Sequence, residues 1–74
     1  MVIHKKDLIR LMMRQMQVSR YTVYEHLKRK DFPRPTRVVG SYKAYEVGEV
    51  AAWLGLTATE MQRMAEELHN HAVA

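Results

Sequence analysis

The chain has 74 residues with no cysteine, which allows one domain and excludes disulfides and thiolate metal sites. So short a chain builds a modest core, so its stability is expected to be marginal without a partner. Charge is divided along it: residues 1–43 carry eleven Lys and Arg against Asp7, Glu25 and Asp31, a balance of +8, while residues 44–74 carry Arg63 against five glutamates, a balance of −4. A segment that basic attracts a phosphate backbone and the acidic half stays off it, the plainer alternative being a solvated basic face with no partner.

Residues 1–5 form a short lead, extended through Val2 and Ile3. Leu8, Leu11, Met12 and Met16 then recur at helical spacing, predicting a helix from about Lys6 to Arg14 with Arg10 and Arg14 on another face. Met12, Met13 and Met16 read as core filler, since methionine packs irregular gaps. Met16-Gln17-Val18 makes a turn, and Ser19 is suited to cap the next helix through its hydroxyl. That helix runs from Arg20 to about Arg29. Val23 and Leu27 form its apolar pair, with Val18 as a staple. Its other face carries Arg20, Tyr21, Tyr24, Glu25 and Lys28. The Tyr24 ring either folds onto the following linker or offers its hydroxyl to a phosphate, and the phosphate contact is favoured.

Phe32-Pro33-Arg34-Pro35 ends the helix, because proline removes a donor and biases its predecessor to extended geometry; Phe32 plugs the core. Thr36–Val39 and Tyr42–Tyr45 read as two short strands about Gly40-Ser41. Val47, Val50, Trp53 and Leu54 predict a third helix ended by Gly55, with Trp53 in the core. Thr57-Ala58-Thr59-Glu60 is a capping box, with Leu56 and Met61 at staple positions. It opens an amphipathic helix whose stripe is Met61, Met64, Ala65 and Leu68, opposite Gln62, Arg63, Glu66 and Glu67. That stripe needs either the domain's own core or a second protomer, and the end from His69 to Ala74 is expected to fray.

No catalytic constellation emerges. Adjacent Glu66 and Glu67 project to different sides of a helix. His69 and His71 are two apart, and His26 has no acidic or Cys partner at ligand spacing. Ser19 and Ser41 lack a nucleophile-elbow context, and there is no Gly-rich phosphate loop. The expectation is a non-enzyme with no metal, cofactor or small-molecule ligand. No apolar run approaches a membrane span, and MVIHKKDL lacks the apolar core of a secretory signal. With no cysteine, this fits a cytoplasmic protein.

Val18–Leu54 resembles the AlpA-like and excisionase group of small winged-helix proteins from phages and integrated elements. The residues that carry the likeness are VSRYTVY at 18–24, FPRP at 32–35, Gly40-Ser41, Ala44-Tyr45 and EVAAWL at 49–54, and the lead VIHKKDL at 2–8 is similar to that family's opening. The likeness spans residues 2–55. MerR-type regulators and the DNA-binding domain of small terminase subunits share the architecture. It implies a mostly α fold with a small β-hairpin wing, a winged helix-turn-helix over residues 1–55, followed by an extra C-terminal helix over residues 56–74. Ser19, Arg20, Tyr21, Thr22, Tyr24 and Lys28 then fall on the recognition helix, Arg34 in the basic linker, and Arg37, Ser41, Tyr42 and Lys43 on the wing. This set is expected to contact DNA, with Arg20 and Tyr21 reading base edges. Gln17 stands where such turns often have Gly, Ser41 where a basic tip residue is common, and Lys43 where an apolar strand residue is usual.

The resemblance implies a recombination directionality factor or transcriptional regulator. It would bind double-stranded DNA in a bacterial host cell's nucleoid, with an integrase or further copies of itself as partners. The alternative is a protein-interaction module, such as a small terminase-like packaging subunit, whose acidic C-terminal helix docks on another protein.

Overall fold

The computed structural model describes residues 2–40 and 42–73, without the side chains of Arg37, Val39 and residues 69–73. It is mostly helical, with one antiparallel hairpin. The elements are β1 (Val2–His4), α1 (Lys5–Met16), α2 (Arg20–Leu27), β2 (Arg37–Val39), β3 (Tyr42–Glu46), α3 (Val47–Leu54) and α4 (Ala58–Val73).

α1 buries Leu8, Ile9, Leu11 and Met12 and is longer at both ends than its periodicity indicates. Gln17 stops it by turning left-handed at φ 55°, with its N–H donating to the Met13 carbonyl. A non-glycine residue bears a steric cost in that conformation, about 1–2 kcal/mol. Ser19 caps α2 as expected, its Oγ accepting from the Thr22 N–H at 3.3 Å. α2 closes at Leu27 rather than near Arg29. Lys28 N–H and Arg29 N–H donate back three residues, to Glu25 and His26 carbonyls at 3.2 and 3.1 Å, tightening the last turn. A further such bond, from Phe32 N–H to the Arg29 carbonyl, brings Phe32 into the core at 2% exposure.

β2 and β3 form the hairpin, with Val39 opposite Tyr42 and Arg37 opposite Ala44. Gly40 takes φ 60°, the positive value that tight two-residue hairpin turns require. Ser41 lies outside the described residues. The lead is a third strand: β1 pairs antiparallel with the other edge of β3, Ile3 opposite Tyr45, giving the order β1-β3-β2. Strand alternation sends Ile3 into the core and leaves Val2 and His4 outside.

Glu46 caps α3 by accepting from the Gly48 N–H, and Gly55 ends it at φ 76°. Val47, Val50 and Ala51 are buried and Leu54 packs behind them on the same stripe. Trp53 lies off that stripe, so it is half-buried, not a core residue as the sequence suggests. Its ring sits edge-on to Phe32 at 4.9 Å and to His26 at 5.5 Å, covering the Phe32 plug from outside.

The capping box of α4 is reciprocal, Thr57 N–H donating to Glu60 Oε1 at 3.2 Å and Glu60 N–H to Thr57 Oγ1 at 3.1 Å. α4 packs against α1 and α3. Met61 is completely buried, and Met64, Ala65 and Leu68 pack against the same cluster, so the chain's own core covers the stripe. The helix continues to Val73, through the stretch expected to fray.

Candidate nucleic-acid interface

Pairing of β1 with β3 sets the first turn of α1 beside the hairpin, and the first turn of α2 closes the third side. Between them lies an open groove of about 620 Å³. His4, Lys5, Lys6, Asp7 and Arg10 line it from the β1–α1 junction, Arg20 and Tyr24 from α2, and Tyr42 and Lys43 from β3. A second groove, of about 500 Å³, shares Lys5, Tyr24 and Lys43 with the first and adds Lys28 and Arg34. The two are one continuous cationic surface. Seven cations line it, against Asp7 as the single acid among the described lining residues. Lys5 is half-buried and the other six are exposed. Among the described residues, no ion pair neutralises any of the seven. Like charges gathered in a concavity focus positive potential there, which suits a polyanion.

Arg29 and Arg34 make polar contacts of their own. Arg29 pairs with Asp31, Nε to Oδ1 at 3.0 Å, and donates through Nη2 to Oδ2 at 3.3 Å. That hydrogen bond from Arg29 holds the Asp31 carboxyl below its usual pKa. Arg34 reaches back through Nη2 to the Arg29 carbonyl at 3.5 Å, which helps set the linker along the second groove. Tyr45 forms part of that groove's floor. Burial pushes its phenol above the ordinary value of 10.0, with the Arg34 charge partly offsetting.

The residues singled out in the sequence separate into groups. Arg20, Tyr24, Tyr42 and Lys43 meet in the first groove, and Lys28 and Arg34 in the second. Ser19 and Thr22 are occupied with each other, their hydroxyl oxygens 3.2 Å apart at the helix cap. Tyr21 is 80% exposed and lies outside the groove walls. Tyr42 is 69% exposed, its ring 6.4 Å from that of His4 in an edge-on contact. Arg37 lies on β2, with its side chain not described, and Ser41 is outside the described residues.

Sequence reasoning omitted His4, Lys5, Lys6 and Arg10 from the candidate site. Their charge was visible, and Arg10 was legible as lying off the apolar stripe of α1. What made them neighbours of Lys43 is the β1–β3 pairing, a contact between distant parts of the chain that three residues of strand do not announce.

Among the described residues no group of three or more His, Cys, Asp or Glu side chains gathers to hold a metal ion, and no helix is long and apolar enough to cross a membrane. No protein-family model, curated protein or solved structure matches the chain.

Proposed function

We propose that the protein binds double-stranded DNA as a non-catalytic winged helix-turn-helix factor, an excisionase or AlpA-like regulator. α2 serves as its recognition helix and the β2–β3 hairpin as its wing. The observation that carries this reading is the continuous cationic groove, to which α1, α2, the linker and β3 all contribute Lys or Arg. The glutamates of α4 are absent from its walls. Arg20, in the first turn of α2, supports the same reading, because it is exposed and lines the groove with Tyr42 and Lys43 of the hairpin. One small domain offers a small interface, so tight occupancy calls for several copies on DNA or a partner such as an integrase.

The test is the salt dependence of binding to labelled duplexes, followed by fluorescence anisotropy. If four to six groove cations neutralise phosphates, log affinity falls against log salt with a slope of about −4 to −5. Binding that ignores salt, or no binding to any duplex at low salt, contradicts the proposal.

A further inference from the structure

The groove also divides the labour of α2, granted the DNA-binding reading above. Arg20, Tyr24 and Lys28 are spaced four apart, on one stripe of the helix, and all three line the cationic surface. Tyr21 and Glu25 form the neighbouring stripe. Both are exposed, and neither lines the groove. A carboxylate is repelled by phosphate but accepts from the cytosine amino group in a major groove, so Glu25 suits a surface that faces bases.

Arg20, by contrast, shares its groove with Lys5, Lys6, Arg10 and Lys43. Five cations from three elements, around a single carboxylate, match a run of phosphates and not a base edge, which is a neutral pattern of donors and acceptors. α1 supplies three of the five, and the pairing of the lead with β3 sets the start of that helix beside the strand.

We infer that the groove between the first turn of α1 and β3 seats the sugar-phosphate backbone, that Arg20 is a clamp on that backbone and not a reader of bases, and that Tyr21 sets base preference. This departs from the sequence expectation, which gave base reading to Arg20 and Tyr21 together. Adjacent residues on a helix face different ways, and the groove takes one of them.

The experiment first selects a preferred duplex from random sequence with the intact protein, then compares that duplex with a scrambled one. Lys6, Arg10 and Arg20 are exposed, so substituting them leaves the core alone. Lys6→Ala and Arg10→Ala are each expected to weaken binding to both duplexes by the same factor. That factor is about eightfold at about 0.1 M salt, with the salt slope shallower by about 0.9. Arg20→Lys changes affinity for both duplexes by the same factor, because a phosphate contact carries no sequence information, whereas losing the guanidinium fork from a base contact costs the selected duplex alone. Tyr21→Ala changes the sequence that selection returns. Lys30→Ala, an exposed cation outside the groove, changes neither affinity.

Three results overturn the inference while leaving the DNA-binding reading in place. These are α1 variants that bind like the intact protein, an Arg20→Lys protein that loses the selected duplex alone, and a Lys30→Ala loss as large as that of Lys6→Ala. An intact protein that binds no duplex overturns both.

Discussion

Met61→Ala tests whether α4 belongs to the same cooperative unit as the groove. Met61 is completely buried, in a cluster with Leu8, Leu11 and Val50. The substitution deletes three heavy atoms, and truncations of this kind cost about 2–5 kcal/mol, depending on how far the cavity collapses. Natural domains hold about 0.05–0.15 kcal/mol per residue, or about 4–11 kcal/mol for a chain of this length. A loss near 3 kcal/mol is thus a large share of the whole. In a domain this small it lowers the midpoint by about 6 °C per kcal/mol, close to 18 °C in all. Thermal melting followed by circular dichroism reads the shift, and sedimentation reads any change in assembly. Met64, only half-buried on the same stripe, should lose less on truncation. Below its midpoint the Met61→Ala protein is expected to keep its DNA affinity, because α4 contributes nothing to the groove walls. A midpoint within about 3 °C of the intact protein, where the loss must be under about 1 kcal/mol, refutes the burial argument. A loss of oligomers with no loss of stability would instead place the stripe between protomers.

Two glycine substitutions should move stability in opposite directions. Gly55→Ala forces a side chain into φ +76° with nothing within 4 Å of the new Cβ, so the loss is purely conformational, about 1 kcal/mol by urea unfolding. Gly48→Ala, inside α3, places its Cβ at an ordinary 3.8 Å from Glu46 Oε1 and should gain about 0.5–1 kcal/mol. Tyr45 gives the pH dependence. Its phenol is raised in the folded state, so its contribution is fully present below the unfolded pKa, near 10.0, and is lost as pH rises through the folded value. Alkaline unfolding curves of Tyr45→Phe should lack that decline. An unchanged slope above pH 10.0 means another group carries it.

Much of the fold was legible because it rests on local chemistry. Ser19 needs only the N–H three residues on, Thr57 and Glu60 satisfy each other, and Gly55 takes the conformation that glycine favours. The hairpin was legible from Gly40 between two β-prone runs. What escaped depends on contacts distant in sequence. Val2–His4 is too short to show a period, yet its pairing with β3 completes the sheet and recruits Lys5, Lys6 and Arg10 to the groove. Trp53 was misplaced because its angular position on α3 puts Val50 and Ala51 in the core first. The early end of α2 follows from the tight turn that delivers Phe32, a demand of tertiary packing on a sequence with helical propensity still in hand.

The most direct measurement of the central claim is amide chemical-shift mapping during titration with a duplex. The groove account expects the largest changes at Lys5, Lys6, Arg10, Arg20, Tyr21, Tyr42 and Lys43, and little change from Glu60 to Leu68. Changes concentrated on α4 with the β1–α1 junction silent, or none at all at low salt, would contradict it.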